Sequence, residues 1–67
     1  MKEFLKKCGL NGEQVNMVEV FLIMYGYSTI EELIAKTNEE LAQHKGWNED
    51  VKACIEKVRT YSSSANQ

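Results

Sequence analysis

The chain has 67 residues, of which 43% are apolar and 27% charged, and its formal net charge is −2. A chain of this length forms one small domain, and its apolar content is too high for a disordered segment. The acidic balance argues against an electrostatically driven nucleic-acid binder, since such domains usually carry a clear basic excess. Because proline is absent and alternating strand patterns are few, the composition predicts an all-helical domain.

Two helices are predicted at the N-terminal end, with a glycine between them. The first covers residues 2–8 and ends at Gly9, because glycine readily adopts the left-handed conformation that closes many helices. Asn11 then caps a second helix over residues 12–25, and Gln14 completes a capping box. Apolar residues nearly encircle this second helix, so we expect a central helix contacted from several sides, with some surface left for a partner.

The middle of the chain carries two further helix starts after Gly26, which ends the second helix. Ser28 with Glu31, and Thr37 with Glu40, match the S/T-x-x-E pattern of a capping box, so each pair begins a short helix. Acidic residues in a first turn also favour the positive end of the helix dipole. We therefore predict two short acidic helices that carry the glutamates Glu31, Glu32, Glu39 and Glu40.

The last predicted helix follows a break at Gly46. Asn48 caps this helix, which covers residues 49–61 with an apolar stripe at helical spacing. The polar tail, residues 62–67, has nothing to bury and is predicted to be disordered. The expected fold is all-α, a compact bundle of five helices in a single domain over residues 1–61.

The cysteine count and the apolar runs bear on location. The longest apolar run, VEVFLIMYGY, contains Glu19 and is far shorter than the roughly 20 residues that span a bilayer. The N-terminus lacks the long apolar segment of a signal peptide. Small secreted domains usually contain more cysteines than Cys8 and Cys54, so we expect two reduced, buried thiols. These features predict an intracellular protein, or a domain of one, in the cytoplasm or nucleus and without a membrane partner.

The chemistry-bearing residues do not form a catalytic pattern. His44 is the single histidine, and no nucleophile or orienting acid accompanies it at a recognisable spacing. Together with the two thiols it lacks the spacing of a metal site. We interpret it as a surface or loop residue and the glutamate pairs as solvated. The sequence predicts no enzyme, no metal and no cofactor.

The order of these elements resembles the sterile alpha motif (SAM) domain over residues 3–61. EFLKKCGL is similar to the SAM start, an aromatic-Leu pair followed by Gly-Leu, and GYSTIEELIAKTNEELA resembles the SAM middle. VKACIEKVRTY occupies the place of the long C-terminal helix, although the second helix is longer than its SAM equivalent. The resemblance implies a five-helix bundle that acts as a non-catalytic protein-interaction module.

SAM domains commonly associate through the start of the last helix on one protomer and the middle segment of the next. Here residues 28–44 carry four glutamates against one lysine, a sum of −3, and residues 45–67 carry four basic against three acidic residues, a sum of +1. We therefore expect self-association, or pairing with another SAM-like domain, in a heterologous contact that forms chains or rings. The basic side comprises Lys45, Lys52 and Arg59, which recur every seven residues, and Trp47, which either seals the core or anchors the partner.

A second resemblance leads to an alternative function. The step LAQHKGWNEDV is similar to helix-hairpin-helix DNA-binding domains and to the C-terminal domain of the bacterial RNA polymerase alpha subunit. CGLN and KGWN resemble degenerate hairpin turns, with Asn11 and Asn48 where that family usually has a second glycine. This resemblance implies a nucleic-acid-binding domain whose turn amides and nearby cations contact phosphate. The implied contact residues are Lys6, Lys7, Gly46 and Asn48.

Overall fold

The computed structural model describes residues 2–65, which form five α-helices and no strand. This confirms the prediction of an all-α domain with five helices. The bounds of the first, second and last helices lie within one residue of those predicted, except at the C-terminus. The helices are α1 (Lys2–Lys7), α2 (Gly12–Met24), α3 (Ile30–Ile34), α4 (Asn38–Leu41) and α5 (Glu49–Ala65).

Two glycines end α1 and α2 in the same way. Gly9 has φ +94° and Gly26 has φ +76°, in the left-handed region where other residues are strained. After α2, the Tyr27 amide donates to the Leu22 carbonyl at 3.0 Å, and an equivalent bond closes α1. Both predicted glycine stops are confirmed.

Three of the predicted N-terminal caps are formed. Asn11 and Gln14 exchange two side-chain-to-backbone hydrogen bonds of 2.9 Å each, and Thr37 and Glu40 form the same box at 3.1 Å. Asn48 caps α5 by accepting a backbone amide hydrogen at 2.9 Å. These bonds satisfy amides that have no partner within the helix.

The predicted cap of α3 is wrong by one residue. Thr29, and not Ser28, is the capping residue, and its hydroxyl accepts the Glu32 amide at 3.2 Å. The Glu32 carboxylate in turn accepts the Ser28 amide at 2.6 Å. Both S-x-x-E and T-x-x-E occur in the sequence, so the local pattern allows either start. The adopted start places Ile30 and Leu33 in the core.

The core lies where α5 packs against α2 and α3, with α1 packed against α2. Both cysteines are buried there, as predicted. The side chains that form this single cluster are apolar, and among the described residues no charged or polar residue is fully buried with them. The cluster comprises Leu5, Cys8, Leu10, Val15, Val18, Phe21, Leu22, Ile30, Leu33, Leu41, Val51, Cys54, Ile55 and Val58.

One prediction about the two long helices is confirmed and one is wrong. The second helix is contacted by both α1 and α5, as expected, and it leaves Val20, Ile23 and Met24 exposed on one face. A chain this short has too few helices to enclose one of its own completely. The last helix continues to Ala65, so residues 62–65 of the predicted disordered tail are helical. The remaining tail residues, 66 and 67, lie outside the described part of the chain.

Candidate functional site

Four glutamates lie at the starts of the two short helices, and we call them the acidic corner: Glu31, Glu32, Glu39 and Glu40. All four are exposed, but they are not equivalent. Glu32 and Glu40 hold their own helix starts through the backbone bonds described above. Glu31 and Glu39 form no side-chain hydrogen bond or ion pair within residues 2–65, so their carboxylates face solvent. Two of the four are therefore structural, and two are available to a partner.

Glu40 shows the electrostatic consequence of capping. Its carboxylate accepts hydrogen bonds from the Thr37 amide and the Thr37 hydroxyl. These bonds favour the charged form and lower the pKa of Glu40 below its ordinary value, with Lys36 adding a smaller effect in the same direction. The carboxylate thus stays ionised to a lower pH than a free glutamate.

The basic surface, defined as Lys45, Trp47, Lys52 and Arg59, is also heterogeneous. Lys45 and Lys52 are exposed and form no ion pair among the described residues. Trp47 is half-buried and packs against the core, with its ring centre 6.3 Å from that of Phe21 in an edge-on arrangement. Trp47 therefore seals the start of α5 and keeps part of its ring at the surface. Only the two lysines project freely.

Arg59 is used inside the domain. Its guanidinium donates to the backbone carbonyls of Ile34, at 3.3 Å, and Lys36, which end α3. The same group donates to the Asn38 side chain at the start of α4 and pairs with Glu56 at 3.4 Å. A planar group with several donors suits this task, since carbonyls at a helix end lack intrahelical partners. Arg59 thus fastens the acidic corner to α5.

In the two turns proposed to hold phosphate, most backbone amides already donate hydrogen bonds within the domain. In the first turn, the Asn11 amide donates to Gln14 at 2.9 Å. In the second, the Gly46 amide donates to the Tyr25 hydroxyl oxygen at 2.7 Å, and the side chain of Asn48 caps α5. Lys6 and Lys7 are exposed at the end of α1. The cations proposed for phosphate binding are thus at the surface, whereas these two amides already have acceptors.

An aromatic cluster that sequence reasoning missed fixes the loop after α4. The His44 ring stacks on Tyr25 with centres 4.1 Å apart and meets the edge of Phe21. His44 Nε2 and the Tyr27 hydroxyl are joined by a hydrogen bond of 2.9 Å. His44 does lie in a loop, as predicted, but it is half-buried. The cluster holds the loop bearing Lys45 against the end of α2.

The exposed face of α2 is the second feature that the sequence did not locate. Val20, Ile23 and Met24 are 44%, 79% and 63% exposed, at positions i, i+3 and i+4. The sequence indicated more apolar surface on this helix than one small core uses, which was the available signal. The sequence could not identify which residues face outward, because apolar residues lie on nearly every side of the helix. The fold alone selects this face.

The described residues hold no group of three or more histidine, cysteine or acidic side chains that could bind a metal. Burial raises the pKa of both the Cys8 and Cys54 thiols, which keeps them protonated and weakly nucleophilic at neutral pH. An apolar groove of about 500 Å³ beside Cys8 is lined partly by Tyr61 and Thr60. Neither the two thiols nor the Tyr61 and Thr60 side chains belong to an acid–base or nucleophile–base pair.

No helix among residues 2–65 is long and apolar enough to cross a membrane.

No protein-family model, curated protein or solved structure matches this chain.

Proposed function

We propose that this domain is a non-catalytic protein-interaction module that associates with further copies of itself or with another SAM-like domain. The observation that carries the proposal is the arrangement of exposed charge. Glu31 and Glu39 project from the short helices, Lys45 projects from the loop before α5, and Lys52 projects from the first turn of α5. Opposite charges presented on two parts of one small domain suit a heterologous contact between copies.

The internal contacts support this proposal, because they hold both charged regions in fixed positions. Arg59 ties the end of α3 and the start of α4 to α5. His44 and Tyr25 fix the loop that bears Lys45. Surfaces held rigid lose little conformational entropy on binding, so less of the interaction energy is spent on ordering them.

Within each surface, some residues support the fold and others are free to contact a partner. Glu32, Glu40 and Arg59 support the fold, so their substitution changes both folding and association. Glu31, Glu39, Lys45 and Lys52 are the residues whose substitution tests association alone. The exposed part of Trp47, beside the two lysines, supplies apolar area for affinity, while the charges orient the partner and raise the association rate.

Sedimentation velocity at rising concentration tests this contact with Glu39→Lys and Lys52→Glu. Each variant removes one half of the contact, so each alone is expected to stop chain growth. A mixture of the two retains one intact pair of surfaces, Lys52 on the first variant and Glu39 on the second, and is expected to form larger species than either variant alone. Glu3→Lys and Lys57→Glu carry the same charge changes on other exposed positions and should assemble like the wild type. A wild type that stays monomeric at high concentration and pairs with no SAM-like domain would falsify the proposal.

The exposed cations Lys6 and Lys7 favour the nucleic-acid alternative, but the amides of its turns argue against it. Its proposed phosphate donors include the Asn11 and Gly46 amides, which donate to Gln14 and Tyr25. A titration of labelled duplex and single-stranded DNA at low and moderate salt distinguishes the two functions, since phosphate-driven binding weakens steeply with salt. The interaction-module proposal expects no binding in either condition.

A further inference from the structure

We propose that the outer face of α2 is a second contact surface, at which two copies of the domain pair about a two-fold axis. The face consists of Val20, Ile23 and Met24, which are 44%, 79% and 63% exposed. Their i, i+3, i+4 spacing places them in one stripe along the last two turns of the helix. This stripe includes none of the residues of the acidic corner or of the basic surface.

A shallow groove extends the apolar stripe toward α5. It has a volume of about 350 Å³ and is lined by Met17, Val20 and Met24 from α2 and by Val51 from α5. Side chains from a partner can enter this groove, so the contact is not limited to three exposed residues. Contiguous exposed apolar surface of this kind marks interaction sites in soluble domains.

The symmetry of the contact follows from where apolar surface is available. Val20, Ile23 and Met24 are the large hydrophobic residues that residues 2–65 leave exposed. A second copy can therefore cover this stripe with apolar surface only by presenting the same stripe. Contact between identical patches is isologous, which produces a closed two-fold dimer.

Charge selects the direction of pairing. α2 carries Glu13 and Glu19 and no basic residue. A parallel arrangement would place each Glu13 beside the Glu13 of the other copy, where like charges repel, whereas an antiparallel arrangement moves the two Glu13 side chains apart along the helix. With the axis between Val20 and Ile23, Glu13 lies about 13 Å from the axis at 1.5 Å per residue, beyond the C-terminal end of the partner's α2.

That end of the helix carries a complementary charge. The loop containing the exposed Lys45 packs there, because the Gly46 amide donates to Tyr25 at the end of α2. The antiparallel dimer thus places Glu13 of each copy on the side where the other copy presents a lysine. The apolar stripe provides the affinity, and these charges set the orientation.

Sedimentation equilibrium in a Glu39→Lys background tests the dimer, since that background removes the proposed acidic contact. We expect association that stops at two copies. Ile23→Glu, and the uncharged Met24→Gln, are expected to raise the dissociation constant at least about tenfold, as removal of a central interface residue does. Ala53→Glu, an exposed position on α5, is the matched control and should stay within about twofold of its parent.

Thermal unfolding of the monomeric fraction verifies that each variant folds, which is expected because the substituted side chains are exposed. Cross-linking provides a second readout: a short bismaleimide should join two Ile23→Cys chains far faster than two Ala53→Cys chains. A background protein that remains monomeric at about 1 mM, a dimer unchanged by Ile23→Glu, or equal cross-linking at the two positions overturns this proposal. None of these results bears on the acidic contact, which the charge-swap mixture tests separately.

Discussion

The two halves of this small domain are stabilised in different ways. The long helices α2 and α5 pack through apolar side chains, whereas α3 and α4 have only 5 and 4 residues. Helices that short are unstable by themselves. They are held by two buried leucines and one buried isoleucine, by side-chain caps and by Arg59. The contrast shows that a region carrying exposed charge can be rigid with little core of its own.

The largest expected effect is the loss of unfolding free energy when a buried leucine in either region is replaced by alanine. Leu41 in α4 is 0% exposed and Leu22 in α2 is 2% exposed. Replacement of either by alanine is expected to cost about 2–5 kcal/mol of unfolding free energy, because each leaves a cavity in the same core. Urea denaturation measures both losses, and Ile23→Ala, at an exposed position, is the control. If Leu41→Ala left α2 and α5 as stable as before, the short helices would form a separate unit.

The next effect tests whether Arg59 joins the two regions. Arg59→Lys retains the charge but cannot reach the carbonyls of Ile34 and Lys36 and the Asn38 side chain at once. We expect a loss of about 1–2 kcal/mol, since hydrogen bonds made by charged groups contribute roughly this much. Amide hydrogen exchange should accelerate in α3 and α4 more than in α2. Lys52→Arg is the control, and equal acceleration throughout the chain would contradict a local role.

Gly26 lies at the junction between the regions. Gly26→Ala forces alanine to φ near +76°, which is expected to cost about 1–2 kcal/mol. Gly12→Ala is a matched control at the start of α2, where an added methyl group would contact nothing within 4 Å. That change should be neutral or slightly stabilising, because alanine favours helices. Equal losses in the two variants would show that the left-handed turn is not the cause.

The smallest effect is a pH dependence specific to the short helices. Because the folded pKa of Glu40 is below its ordinary value of 4.5, the unfolded chain binds more protons in that range. The stability that Glu40 adds is fully present above pH 4.5 and is lost as the pH falls through the lower folded value. Glu40→Gln should flatten the stability profile there. Circular dichroism melts across this range provide the measurement.

Most of the helix ends could be predicted from the sequence, because the signals that set them are local. Asn11 with Gln14, Thr37 with Glu40, and the glycines at positions 9 and 26 act on residues within five positions. The exception is the start of α3, where two overlapping capping patterns compete. Burial of Ile30 and Leu33 decides between them, and burial depends on the rest of the fold.

The sequence by itself therefore determined that this chain forms five helices, and it indicated two oppositely charged regions. Only the tertiary structure decided which residues in those regions are free. Arg59 bonds a carbonyl 25 residues away, and Gly46 bonds a tyrosine 21 residues away. The choice of the exposed face of α2 likewise depends on how the other helices pack around it. Such contacts follow from three-dimensional packing, and no spacing pattern along the chain encodes them.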